Sequence, residues 1–128
     1  MDYGFMTITD FQRPVTGLHI LGEICAKETS VLKDISIVRH EVAKYVEHVG
    51  LVQVGISEHV FPEAGYTFVV LLAESHLSIH TWPELGYVTL DVFVCNMSKD
   101  NSIAAKKLFE LTSKLFDPIK ITTKEITR

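Results

Sequence analysis

Residues 73–84 read Ala-Glu-Ser-His-Leu-Ser-Ile-His-Thr-Trp-Pro-Glu, gathering hydroxyls, imidazoles and carboxylates into twelve positions. These are the side chains of nucleophilic and proton-transfer chemistry. A serine hydroxyl attacks a carbonyl carbon, and an imidazole, with a pKa of about 6.5, is largely neutral at pH 7 and able to take a proton. Read as a strand, the segment puts His76, Ser78, His80 and Trp82 on one side and Leu77, Ile79 and Thr81 on the other. The following segment alternates Val88, Leu90, Val92 and Val94 with Thr89, Asp91, Phe93 and Cys95. Taken singly, each residue has an ordinary role: a lone cysteine in a valine-rich strand is commonly a small core residue. A strand histidine is commonly a hydrogen-bonded structural group, Glu84 suits a turn, and Phe61 suits a core. His76 and His80 would lie about 13 Å apart along a strand, so they make a poor metal pair and no metal is expected.

Positioning such groups takes a sheet, and the flanking sequence predicts one. Residues 17–24 alternate as a short strand. Val31, Ile35, Val38, Val42, Tyr45, Val46 and Val49 recur every three or four positions, predicting a helix that Ser30 or Asp34 caps and Gly50 ends. Residues 51–57 and 66–73 are rich in Val, Leu and Ile and flank a turn-like Pro-Glu-Ala-Gly, which predicts a hairpin. Two more strands follow at 76–82 and 87–95. Ala104, Leu108, Leu111 and Leu115 then mark a second amphipathic helix, which Asp117-Pro118 stops before a last strand near 119–126. Strands joined by short turns, with two helices, predict an α+β fold: a two-layer α/β sandwich whose largely antiparallel sheet carries both helices on one face. The other face would then present the histidines, Ser78, Asp91 and Cys95, and burying so many polar groups calls for a ligand or a partner surface. Cys25 reads as core.

Composition narrows the function classes. The chain has 128 residues, 47% of them apolar and 22% charged, as expected of one folded domain. Residues 1–15 read as a leader and 16–128 as a single domain. A net charge of -4, with no basic cluster, argues against nucleic acid as a partner. The longest apolar run, residues 68–73, falls far short of the roughly 20 a membrane helix needs. Residues 1–14 lack the basic start and long apolar stretch of a secretory signal, so a cytoplasmic protein is expected. The two cysteines are 70 positions apart and form no CxxC, which indicates neither a disulfide framework nor a thiolate zinc site.

Residues 73–84, followed by Leu90-Asp-Val-Phe-Val-Cys95, closely resemble the prokaryotic S-adenosylmethionine decarboxylases. The likeness extends upstream through Gly17-Leu-His19, Glu23 and His59-Val-Phe61, covering about residues 16 to 126. It implies a precursor that cleaves itself between Glu74 and Ser75, leaving a pyruvoyl cofactor derived from Ser75 at the new amino terminus. His80 resembles the family's proton acceptor in processing, and Thr67 stands where a serine hydroxyl assists the acyl shift. The pyruvoyl group would form a Schiff base with S-adenosylmethionine and accept electrons as CO2 leaves, giving the aminopropyl donor for spermidine synthesis. Cys95 resembles the acid that protonates the substrate carbon, Glu84 the acceptor of the ribose hydroxyls, and Phe61 the ring that stacks on adenine. A homodimer of processed two-chain protomers is implied as well.

The chain departs from the pattern at three points. Thr67 replaces serine, keeping the hydroxyl but restricting its rotamers. Phe68 stands where glycine is usual, and its bulk is expected to crowd the backbone that rearranges during processing. Asn96 follows Cys95 in place of a common glycine. Two alternatives follow from these differences: a pyruvoyl-dependent arginine or ornithine decarboxylase on the same scaffold, and a homologue that does not process and acts as a partner.

Overall fold

The computed structural model describes residue 4 and residues 13–128; most of the expected leader lies outside the described residues. The order is β1 (Gly17–Ala26), α1 (Ile35–His48), β2 (Gln53–Val60), β3 (Tyr66–Leu72), β4 (Ser75–Trp82), β5 (Tyr87–Cys95), α2 (Ser102–Lys114) and β6 (Pro118–Thr127). These strands form one six-stranded sheet in the order β2-β3-β4-β5-β1-β6, and every neighbouring pair is antiparallel. Both helices send their buried residues into the same core, so the molecule is the two-layer α+β sandwich that the pattern predicts.

The period-two alternation decides what each face carries. Leu18, Ile20 and Ile24 of β1, Leu77 and Ile79 of β4, and Val88, Leu90, Val92 and Val94 of β5 point under the helices and are buried. Against them α1 packs Ile35, Val38, Val42 and Val46, and its first turn is capped by Asp34, whose carboxylate accepts the Ser36 N–H at 3.0 Å. Each such side chain stabilises the fold by about 1.5–3 kcal/mol through the apolar area it removes from water. The buried stripe of α2 is Ala105, Leu108, Phe109 and Thr112, with Phe116 beyond its end. Relative to the expected Ala104-Leu108-Leu111-Leu115 stripe it is rotated by one position, because the two phenylalanines offer more apolar area. Gly22 makes that rotation possible, since a Cβ there would lie 2.5 Å from the Phe109 ring.

Two expectations are corrected. Cys25 is exposed, because the β1 alternation aligns it with His19, Leu21 and Glu23 on the uncovered face. Phe68 does not crowd the backbone of the processing turn. It is 1% exposed, points under the helices, and pairs across to Ile79 while its neighbour Thr67 faces the other way. Phe68→Gly should therefore lower stability by about 3–5 kcal/mol, not free the turn, because it empties a core position. Denaturant unfolding checks this, and an unchanged midpoint would place the ring outside the core.

Candidate active site

The pairing of Leu72 with Ser75 leaves Ala73 and Glu74 as a two-residue turn between β3 and β4. Ser75 sits there at φ 126°, a region that side-chain-bearing residues adopt at a cost of about 1–3 kcal/mol. Its hydroxyl donates to Cys95 Sγ at 3.1 Å. The Cys95 N–H donates to the Glu74 carbonyl oxygen at 2.9 Å, polarising the carbonyl of the Glu74–Ser75 peptide bond. The Glu74 carboxylate accepts Ser98 N–H at 2.8 Å, Ser98 Oγ at 3.0 Å and Asn101 Nδ2 at 2.7 Å. These donors, Ser98 first, hold the carboxyl below the usual carboxylate range.

A second cluster forms at the other end of β4. Thr67 and His80 are opposite each other across β3 and β4, and Thr67 Oγ1 lies 3.1 Å from His80 Nδ1. Both line a pocket of about 410 Å³ with Phe61, Trp82 and Glu84. Close approach of the chain builds its floor: at Gly65 a Cβ would collide with the Thr81 carbonyl oxygen, and Thr81 Oγ1 accepts the Tyr66 N–H at 2.9 Å. Pro83 opens a short 3-10 turn that Gly86 ends at φ 58°, leaving Glu84 exposed at the pocket edge. Trp82 stands with its ring 6.2 Å from that of His80 and 5.4 Å from that of Tyr87.

The structure thus groups the expected residues in two sets: Glu74, Ser75 and Cys95 in one, and Phe61, Thr67, His80 and Glu84 in the other. Five residue steps of extended strand separate Ser75 from His80, about 16 Å. Within this chain the imidazole is not brought to the Glu74–Ser75 bond. To one side of β4, across β5, β1 and β6, the open face carries a groove of about 710 Å³ lined by Glu23, Tyr87, Asp91 and Lys124, in which Tyr87 Oη donates to Glu23 at 2.6 Å. Beside it His19, whose pKa is lowered mainly by burial, packs against Phe93 at 5.4 Å. Among the described residues no three His, Cys, Asp or Glu side chains are grouped to hold a metal ion.

Reading the sequence gives no role to four contributors. The Cys95 N–H has no signature, since every strand residue carries one. Ser98 and Asn101 reach Glu74 from 24 and 27 positions away, separations no local pattern reports. Trp82 was legible: the alternation that exposes His80 also exposes it.

Fold and site together define a small two-layer α+β protein whose open sheet face carries a strained serine turn at one end and an imidazole pocket at the other. The sequence pattern of the S-adenosylmethionine decarboxylase family matches residues 18–128. The chain belongs to that family. It is 36% identical over 104 residues to the S-adenosylmethionine decarboxylase proenzyme of Archaeoglobus fulgidus, covering 81% of this chain and 89% of that one. To the proenzyme of Thermoplasma volcanium it is 33% identical over 112 residues, covering 88% and 83%. Its fold is similar to the crystal structure of the adenosylmethionine decarboxylase from Aquifex aeolicus, with a TM-score of 0.78 at 29% identity over 88% of this chain and 89% of that one.

Proposed function

We propose that residues 16–128 are a single domain made as a proenzyme, which cleaves itself between Glu74 and Ser75 and then decarboxylates S-adenosylmethionine. The observation that carries this reading is the Ser75 turn: a serine at positive φ, its hydroxyl on Cys95 Sγ, and the carbonyl before it on the Cys95 N–H. In processing, Ser75 Oγ bonds to the Glu74 carbonyl carbon, the C–N bond breaks, and the hydroxyl proton passes to the Ser75 nitrogen. The Cys95 N–H stabilises the charge that gathers on the Glu74 oxygen. A base then removes the Ser75 α-proton, Glu74 leaves as a carboxylate, and water releases ammonia from the dehydroalanine to give pyruvoyl. The conversion removes the strained φ torsion altogether, which favours it in this turn.

The surroundings of Ser75 fit that group. When formed, the pyruvoyl carbonyl supplies the electron sink for loss of CO2. Cys95 Sγ, 3.1 Å from Ser75 Oγ, holds the proton destined for the substrate carbon. Glu84 accepts from the ribose hydroxyls, while Phe61 and Trp82 offer aromatic faces to adenine and to the sulfonium.

His80 serves as the base from a second copy of the chain. Two sheets stacked open face to open face lie about 10 Å apart. A two-fold axis between the sheets, running across the strands, lays the His80 end of one β4 over the Ser75 end of the other, twice. The same stacking covers the half-exposed Leu71 and Trp82.

Release of labelled CO2 tests the substrate. Processed protein should release it from S-adenosylmethionine and not from arginine or ornithine; the reverse result moves the substrate assignment elsewhere. Glu84→Gln keeps the shape and removes the charge, so it should weaken substrate binding by about 1.5–3 kcal/mol, seen as a raised KM. An unchanged KM would take Glu84 out of the nucleoside site.

A further inference from the structure

We propose that Asn101 is a positioning residue for self-cleavage, a role that rests on the reading above that the chain breaks between Glu74 and Ser75. Asn101 occupies the N-cap of α2, where an asparagine ordinarily turns its side-chain oxygen to a free N–H of the first turn. It makes no such bond. The neighbouring Asp100 Oδ1 accepts the Ser102 N–H at 2.9 Å, so Asp100 and not Asn101 supplies the side-chain acceptor at this end of the helix. The Asn101 side chain turns away from the helix and is buried, with 1% of the residue exposed.

Its amide donates both to Glu74 Oε2 at 2.7 Å and to the Cys95 carbonyl oxygen at 2.9 Å. Two acceptors on one side fix which way the amide faces. Its Oδ1 is left buried without a partner, an arrangement a capping rotamer would relieve, so the donors decide the geometry. Asn96, which replaces the usual glycine, holds the Asn101 backbone: its Oδ1 accepts the Asn101 N–H at 2.8 Å. Among the described residues no other side chain bonds to both Glu74 and Cys95.

Those two residues must stay in register for the acyl shift. The oxygen that gains charge belongs to Glu74, and the N–H that stabilises it belongs to Cys95, 2.9 Å away. Ser98 and Asn101 also occupy the Glu74 carboxylate, which would otherwise bring a free negative charge beside the forming oxyanion. Asn101 acts on the reaction through Glu74 and Cys95 and touches none of the reacting atoms itself.

A donor-acceptor exchange tests this, read by intact mass during a chase of freshly synthesised full-length chain. Asn101→Asp keeps the shape but sets a carboxylate oxygen against the Glu74 carboxylate, and cleavage should slow about tenfold or more. Glu74→Gln leaves one amide oxygen for three donors and sets its NH2 against either the Asn101 amide or the Ser98 N–H, so it should slow cleavage as well. The double variant restores a donor and an acceptor between positions 74 and 101 in reversed order but not the bond to the Cys95 carbonyl oxygen, so part of the lost rate should return. Single variants that are folded by thermal unfolding and cleave at the unsubstituted rate overturn the proposal. So does a folded double variant no faster than the singles, because a mere structural cap has no reason to be rescued from Glu74. If the Asn101→Asp variant does not fold, Asn101→Ala removes both donated bonds without adding a charge; cleavage about tenfold slower is expected, and a folded variant that cleaves at the unsubstituted rate overturns the proposal. Failure of the unsubstituted chain to cleave would instead bring down the self-processing reading, and this proposal with it.

Discussion

Ser75→Ala should remain a single uncut chain, whereas the unsubstituted protein should yield one fragment ending at Glu74 and another beginning at position 75. The substitution removes the atom that attacks and the atom that later leaves, so no slower route to the same product remains. It keeps a Cβ and with it the strained backbone at φ 126°, so the fold should tolerate it. Intact-mass measurement after long incubation at neutral pH reads the result directly, and CO2 release should fall to background together with cleavage. Fragments of the same two masses from the variant would mean that another nucleophile, or an outside protease, cuts the turn.

The fold is largely legible in the sequence because its signals are local. Alternation in β4 and β5 and the three-and-four spacing of Val38, Val42 and Val46 are direct consequences of strand and helix geometry. Where local pattern misleads, a neighbour in space decides. Comparison with the glycine usual at its position makes Phe68 an obstruction, but its own strand parity sends it into the core opposite Ile79. Residue type alone puts Cys25 in the core, although the β1 alternation aligns it with Glu23 on the uncovered face. The site residues come from a motif that carries identities and no distances. That motif puts His80 five positions after Ser75, yet an extended strand converts five positions into about 16 Å. The positive φ of Ser75 and the turn of Asn101 away from its helix leave no trace in residue order, since both follow from how β4, β5 and the start of α2 meet.

Because each protomer keeps His80 most of a strand's length from its own Ser75, variants of the two residues should complement each other. Ser75→Ala and His80→Ala should each be inactive alone, the first for want of a nucleophile and the second for want of a base. If each site takes Ser75 and Cys95 from one copy and His80 and Thr67 from another, a mixed dimer of the two variants contains one intact set and one doubly damaged set. Co-expressing them with different tags in equal amounts makes about half of the dimers mixed, each with one working site of two, so about a quarter of the unsubstituted activity should appear. The fragments are equally diagnostic: His80→Ala chains should be cleaved in about half of their copies, and Ser75→Ala chains in none. Cleavage of the His80→Ala chain in mixed dimers requires its Ser75 to be served by an imidazole on the other chain, because its own is gone. Mixed dimers isolated through both tags that show neither cleavage nor CO2 release would mean that each chain must reach Ser75 with its own His80. The turn would then have to travel most of the length of β4, which the antiparallel ladders on either side oppose.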